Sequence, residues 1–319
     1  MKKIAVLTSG GDAPGMNAAL RAVVRKGIYQ GCEVFGVKEG FRGIINDDIQ
    51  PLNLSSVADI IQRGGTVLRT ARCEEFKTPQ GQSAGIDNLR RRGIEAAIVI
   101  GGEGSLRGVL ALNKGGIVAV GIPGTIDNDI PCTDYTIGFD TAVSTACHAI
   151  DKIRDTATSH QRTFIIELMG RHSGAIALAA GLAAGAESIL VPECPYDLDD
   201  VCRRLEQGRR RGKLHSIILV AEGVASAYTV AKEIKQRTEQ DNRVIVLGHL
   251  QRGGSPTAFD RILASRMASE AVDLVLAGQG GKLVSLQSGC YTNVDIEYAL
   301  SQPANFDATA YQLAKILSI

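Results

Sequence analysis

Short apolar runs recur along the chain and alternate with longer stretches of helical period. The runs fall at 4–7, 34–37, 96–100, 117–122, 164–168, 188–191, 217–221 and 244–247. Continuous apolar runs of this length suit strands covered on both faces, as in parallel sheets. Between them the pattern predicts helices near 16–30, 83–92, 105–113, 139–158, 173–184, 197–211, 227–239 and 257–277. The first of these places Leu20, Val23, Val24 and Ile28 on one face and Arg21 with Arg25 on a neighbouring one. Strand and helix in alternation define an α/β protein. There is no long repeat, no heptad pattern and no Pro/Gly/Ser-rich linker, so two domains would be joined by the chain crossing between them rather than by a tether.

Polar, glycine-bearing segments follow six of the expected strands. They read Thr8-Ser9-Gly10-Gly11-Asp12, Gly101-Gly102-Glu103-Gly104-Ser105, Pro123-Gly124-Thr125-Ile126-Asp127-Asn128-Asp129, Met169-Gly170-Arg171-His172-Ser173-Gly174, Glu222-Gly223, and Gly248-His249-Leu250-Gln251-Arg252-Gly253-Gly254. Parallel α/β sheets bind ligands at the carboxyl ends of their strands, so these segments form one candidate site. Gly10-Gly11 serves either as a tight βα turn or as a cradle whose N–H groups meet a phosphate. Glu103 is either a Mg²⁺ ligand beside phosphate-binding glycines or an acid favouring a helix start. Asp127 and Asp129 are either an Asx-turn or the carboxylates that phosphoryl transfer to a hydroxyl needs. Arg72, Arg162, Arg171, Arg243 and Arg252 lie in or beside these segments. Arginine forks suit phosphate, although most surface arginines are merely solvated. His249 reads equally as a core histidine or a sugar-phosphate contact. Neither a Walker A sequence nor a G-x-G-x-x-G at a strand end is present, which disfavours a P-loop enzyme or a nicotinamide dehydrogenase.

Composition narrows the classes further. The 319 residues suffice for two domains, and Lys+Arg 35 against Asp+Glu 34 gives a net charge of +1. A general nucleic-acid binder would show a basic excess, so no nucleic-acid partner is expected. Seven cysteines without a CxxC pair point to reduced thiols, not a disulfide framework or thiolate zinc site. The apolar stretch at 4–7 is too short for a signal peptide, and 175–186 is too short to span a bilayer. A cytoplasmic protein without membrane association is expected. From the residues alone, the reading is a Mg²⁺-assisted enzyme acting on phosphorylated substrates.

The order and spacing of the segments around Gly11, Asp127, Arg171 and Arg252 resemble those of the bacterial ATP-dependent 6-phosphofructokinases over essentially the whole chain. The resemblance implies a two-domain α/β fold with parallel-rich sheets flanked by helices and an active site in the inter-domain cleft. Residues 1–138 plus 251–301 would form the nucleotide domain, and 139–250 plus 302–319 the sugar-phosphate domain. It further implies a glycolytic kinase that uses Mg²⁺ and ATP on fructose 6-phosphate, assembled as a homotetramer. Asp127 would be the base, supported by Thr125 and Asp129, with Asp129 close to the metal. Gly11 would donate its N–H to the transferring phosphoryl group, and Arg72 and Arg171 would neutralise it. Gly102, Glu103, Gly104 and Ser105, with Arg72 and Cys73, would meet ATP. Met169, Gly170, Glu222, His249 and Arg252 would hold the sugar phosphate, with Arg162 and Arg243 reaching it from a neighbouring subunit. Arg21, Arg25, Arg154, Gly185, Glu187, Arg211 and Lys213 would hold an effector, ADP or phosphoenolpyruvate. Three positions depart from the family: Glu103 replaces its usual Asp, Cys73 an aromatic, and Leu54 an arginine. Pyrophosphate-using relatives carry an acid at the Gly104 position and lysine at the Gly124 position. Small residues at both are expected to leave room for a nucleotide. The alternatives on the same fold are a pyrophosphate-dependent enzyme and a non-catalytic sensor of nucleotide or sugar phosphate.

Overall fold

The computed structural model describes residues 2–318. Its elements run β1 (Lys3–Ser9), α1 (Met16–Tyr29), β2 (Glu33–Val37), α2 (Phe41–Ile45), β3 (Ile49–Leu52), α3 (Pro79–Arg91), β4 (Ala96–Gly101), α4 (Glu103–Lys114) and β5 (Val118–Pro123). The long α5 (Phe139–His160) leads into β6 (Thr163–Leu168), α6 (Ala175–Ala184), β7 (Ser188–Leu190), α7 (Leu198–Arg210), β8 (Ser216–Ala221), α8 (Ala227–Thr238) and β9 (Asn242–Val246). Then come α9 (Ala258–Leu276), β10 (Lys282–Gln287), β11 (Cys290–Asp295), α10 (Ile296–Ser301) and α11 (Ala308–Leu317). All eight expected apolar runs form strands, and each expected helix is present.

The chain divides into two compact units. The first comprises the chain up to Ile126, Ile130–Thr141 and Arg252–Asn305, and the second comprises Asp127–Asp129, Ala142–Gln251 and the chain from Phe306. Sequence reasoning placed crossings at 138/139, 250/251 and 301/302; it did not foresee the excursion of Asp127–Asp129 into the second unit.

The first unit is built on a seven-stranded sheet in the order β11-β10-β5-β4-β1-β2-β3. Its central strands β1, β4 and β5 are parallel and buried except for Lys3 and Val118 at their starts. One face, with Ala5, Leu7, Ala97, Val99 and Ala119, packs on α2, α3, α4 and α10. The other face packs on α1 and α9, which also contact each other. Burial on both faces is why these strands read as unbroken apolar runs rather than alternating ones.

Three strands escaped the sequence reading. β3 is a short antiparallel edge strand, where its Pro51 costs no ladder bond. β10 and β11 form an antiparallel hairpin in which Gln287 faces Cys290. Ser288 and Gly289 make the turn with φ of 49° and 79°, the left-handed pair that a two-residue hairpin requires. The helices α2 and α10 are too short to show a helical period, and α11 was also not read from the sequence.

The second unit holds a parallel four-stranded sheet, β7-β8-β6-β9. Leu198, Val201, Cys202 and Leu205 of α7, with Val230 and Ile234 of α8, cover Ile165, Ile218 and Val220 on one face. The helix α6 packs on β7 and β8, and α11 packs on α6. Among the described residues, no helix is long and apolar enough to cross a membrane.

Candidate active site

In the first unit, β5, β4 and β1 are neighbours and parallel, so the segments that follow them emerge side by side. Gly10 has φ 87°, and its carbonyl accepts a hydrogen bond from Thr70 Oγ1 at 2.8 Å. A Cβ on Gly101 would lie 2.5 Å from the Ser9 carbonyl oxygen and 2.4 Å from Ser105 Oγ, so glycine is required where these two turns meet. A Cβ on Gly11 would lie 2.6 Å from Arg252 Nη1, which donates to the Asp12 carbonyl at 3.1 Å. Arg252, expected among the sugar-phosphate contacts, therefore has its guanidinium on the Gly11 turn. Gly102 comes to 3.7 Å from Thr125 Cβ by the same measure, and the Thr125 carbonyl accepts from Thr136 Oγ1 at 2.6 Å.

At the start of α4 no side chain caps the helix, and the positive end of the helix dipole lies at this turn. Around Gly104 a Cβ would meet nothing within 4 Å. Gly124 is different, because a Cβ there would lie 3.0 Å from Ile100 Cγ2 and 3.2 Å from Met16 Cε. A Cβ would therefore be tight at Gly124, whereas at Gly104 it would stand in open space. Glu103 is exposed and paired with Arg107: its Oε1 accepts from Nε at 3.1 Å and Nη2 at 2.6 Å. Arg72 is exposed, and Cys73 packs against a core cluster that includes the stacked Phe41 and Phe76 rings.

In the second unit, β6 and β8 pair so that Leu168 faces Ala221 and the two following turns adjoin. Gly170 has φ 144°, and a Cβ on it would lie 2.2 Å from the Ser173 carbonyl oxygen. A Cβ on Gly223 would lie 2.1 Å from the Arg171 carbonyl oxygen. Glu222 Oε1 accepts from the backbone N–H of Gly170 at 3.1 Å and of Arg171 at 2.8 Å, bracing the turn. The braced turn aims Arg171 at the buried Asp127, with Nε 3.5 Å from Oδ2. Asp129 is half-buried in the same short loop, Met169 is half-buried, and His249 is exposed. Between His249 and Arg252, Gln251 is fully buried and its Nε2 donates to the Gly248 carbonyl at 3.3 Å, an anchoring role that polarity in the sequence did not reveal.

Arg162 and Arg243 lie at the opposite end of this sheet. Arg162 precedes β6, and Arg243 is the second residue of β9, beside Phe164. Arg243, 3.0 Å from Asp241, holds that carboxyl below its ordinary range, with Lys235 and Arg162 acting in the same direction. A six-residue strand separates these arginines from Met169, which at the usual rise is about 20 Å.

The expected effector residues of the second unit gather around Glu187. Lys213 Nζ lies 2.6 Å from its Oε1, and Ile217 donates its backbone N–H to Oε2. Arg154 Nη2 donates to the carbonyls of Ala184 and Gly185, the latter at 3.1 Å. Arg211 is exposed and bonds back to the Gln207 carbonyl. His215 belongs to this cluster and was not singled out from sequence. Burial pushes its imidazole below the ordinary value; Glu187 opposes this, and Arg154 and Lys213 add to it. Arg21 and Arg25 stand on α1 of the first unit. The exposed Leu54 precedes the Ser55–Val57 turn, which packs against α1.

A family model described as phosphofructokinase matches residues 3–275. The chain is 59% identical over its full length, and that of the relative, to ATP-dependent 6-phosphofructokinase of Bacillus cytotoxicus. It is 57% identical, again full length on both sides, to the protein of the same name from Halalkalibacterium halodurans. The structure of phosphofructokinase from Saccharomyces cerevisiae superposes with TM-score 0.89 at 34% identity, covering 99% of this chain and 47% of the yeast chain. Pyrophosphate-dependent phosphofructokinase from Marinobacter aquaeolei shares the fold, with TM-score 0.85 at 23% identity over 97% of this chain and 86% of that one. The chain belongs to the phosphofructokinase family, and the two units described above are its fold.

Proposed function

We propose that the chain is an ATP-dependent 6-phosphofructokinase acting in glycolysis in the cytoplasm. It transfers the γ-phosphoryl group of ATP to the 1-hydroxyl of fructose 6-phosphate, giving fructose 1,6-bisphosphate and ADP. The observation that carries this reading is the buried Asp127 carboxylate, held 3.5 Å from Arg171 on a turn that tolerates only glycine at its neighbours 170 and 223. Asp127 takes the proton of the 1-hydroxyl as that oxygen bonds to phosphorus and the bond from phosphorus to the ADP oxygen breaks. Arg171, Arg72 and Arg252 offset the charge spread over the phosphoryl oxygens, and the Gly11 N–H donates to them. Thr125 and Asp129 position the reacting groups. The first unit takes the nucleotide, with Cys73, Gly102, Gly104 and Ser105 as contacts. The second takes the sugar phosphate through Met169, Gly170, Glu222 and His249. Because Arg162 and Arg243 sit at the far end of the sheet from these, their contact with the 6-phosphate is made by a neighbouring subunit of a homotetramer.

The exposed Glu103 carboxylate at the start of α4 fits magnesium bound together with a nucleotide. Among the described residues no group of three His, Cys, Asp or Glu side chains could hold a metal. Mg²⁺ is ordinarily bound through one or two carboxylates together with substrate phosphates and water. Glu103 in the first unit would be one such carboxylate and Asp129 in the second a further candidate, and the ion would supply charge neutralisation on the polyphosphate when bound. ATP is favoured over pyrophosphate by the open space at Gly104. An assay with fructose 6-phosphate and Mg²⁺ is expected to show turnover with ATP and none with pyrophosphate. Faster turnover with pyrophosphate would reverse the donor assignment, and none with either would leave a sensor.

The Glu187 cluster, with Arg21 and Arg25 from another subunit, binds a phosphorylated effector such as ADP or phosphoenolpyruvate. Leu54 removes one charge-assisted hydrogen bond, which weakens binding by about ten- to a hundred-fold. Effectors are therefore expected to shift fructose 6-phosphate saturation only at raised concentration. Leu54→Arg should sharpen the response and Lys213→Ala abolish it. Strong inhibition of the parent by micromolar phosphoenolpyruvate would show that Leu54 does not matter.

A further inference from the structure

Glu103 and Arg107 occupy the first and fifth positions of α4, with the acid nearer the N-terminus, the favourable orientation for an i,i+4 pair. The guanidinium meets a single carboxylate oxygen through two N–H groups. Both side chains are more than half exposed, at 53% for Glu103 and 64% for Arg107. An exposed pair of this kind shifts an equilibrium by only about two-fold, so it is made and broken readily. Beside it Gly104 leaves open space, whereas Ser105 is buried, its Oγ close to where Cβ atoms on Gly10 and Gly101 would stand. The carboxylate thus has one exposed, displaceable cation on it and room for a ligand alongside.

We propose that Arg107 is a gating cation of the donor site. It neutralises Glu103 while the site is empty and must yield the carboxylate when a divalent ion arrives with its nucleotide, so its charge sets how tightly the site takes the metal. The inference rests on the assignment of Glu103 to the metal. Arg107 opposes the ion in two ways: it occupies the ligand oxygen, and it leaves a positive charge nearby. A unit charge several ångströms from a divalent ion, under water-like screening, changes its affinity by about three- to ten-fold. The effect should shrink as salt rises, since both partners are exposed.

The test is Mn²⁺ binding to the full-length protein–ADP complex, read at low ionic strength from the free-Mn²⁺ electron paramagnetic resonance signal. Arg107→Gln is expected to tighten Mn²⁺ by about three- to ten-fold, Arg107→Lys to stay near the parent, and Glu103→Gln to weaken it. The gain in Arg107→Gln should fall toward parity at high salt. If Glu103→Gln weakens Mn²⁺ but Arg107→Gln leaves it unchanged or weaker, the gate is overturned and the metal assignment stands. If neither substitution changes Mn²⁺ binding, the assignment of Glu103 to the metal falls and the gate falls with it.

Discussion

Replacing Asp127 with serine should lower kcat by about 10²–10⁴-fold, the range that positioned base catalysis contributes. The side chain is 2% exposed, so little solvent reaches the carboxylate to substitute for it as a proton acceptor. Arg171 lies 3.5 Å away on a turn locked by Gly170, Gly223 and the two N–H bonds to Glu222, so the partner geometry outlasts the substitution. Fructose 6-phosphate should still bind, because Met169, Gly170, Glu222 and His249 are untouched; KM should move far less than kcat. Asp127→Asn, which keeps the volume and a carbonyl acceptor but not the basicity, should fall nearly as far. Steady-state kinetics with ATP checks both variants. Near-normal turnover in either would remove Asp127 from the role of base.

Asp260→Ala should cost about 3–5 kcal/mol of folding stability, from stranding two or three buried donors at about 1–3 kcal/mol each. Asp260 is fully buried. Its Oδ1 accepts from Gly138 N–H at 2.9 Å, and Oδ2 accepts from Thr141 N–H at 2.9 Å and Thr141 Oγ1 at 2.6 Å. Thr257 completes the network: its Oγ1 donates to Asp140 Oδ2 at 2.6 Å and accepts from Asp260 N–H at 3.2 Å, joining the first turns of α5 and α9. A loss of that size is a large fraction of a typical domain's stability of about 5–15 kcal/mol. Burial raises the Asp260 carboxyl above its ordinary range, against the hydrogen bonds from Thr141 and Gly138, which lower it, and with Asp140 adding to the rise. The folded state then holds this proton more tightly than the unfolded state. The contribution to stability is greatest below the ordinary carboxylate range and declines as pH rises through the raised value. Urea unfolding at several pH values should show that decline in the parent and its loss in Asp260→Asn. A cost below about 1 kcal/mol for the alanine variant would mean that the stranded donors find other partners.

The strand-end segments were legible because buried parallel strands and the turns after them leave a dense local signature. The Ser288-Gly289 hairpin was not read, because β11 is half-exposed and the mostly buried β10 is interrupted by Ser285, so neither strand stood out as an apolar run. The surroundings of Gly124 were not legible for a different reason. A glycine reports that a side chain is absent; whether the vacated space opens to a ligand or to Ile100 and Met16 depends on residues distant in sequence. The Glu103–Arg107 pair was readable from i,i+4 spacing alone, whereas His215 acquired its place beside Glu187 only through the pairing of β7 and β8.

By itself the sequence determined the α/β class, the positions of the parallel strands, and the residue types at each strand end, since burial periodicity and turn chemistry act over a few neighbours. The tertiary structure alone decided which strand ends adjoin. It separated Arg162 and Arg243 from Met169 by the length of β6, set Arg252 against Gly11, and assigned Asp127–Asp129 to the second unit. Those outcomes depend on strand order and register, which are set by how whole faces of the two sheets are covered and not by any short stretch of chain.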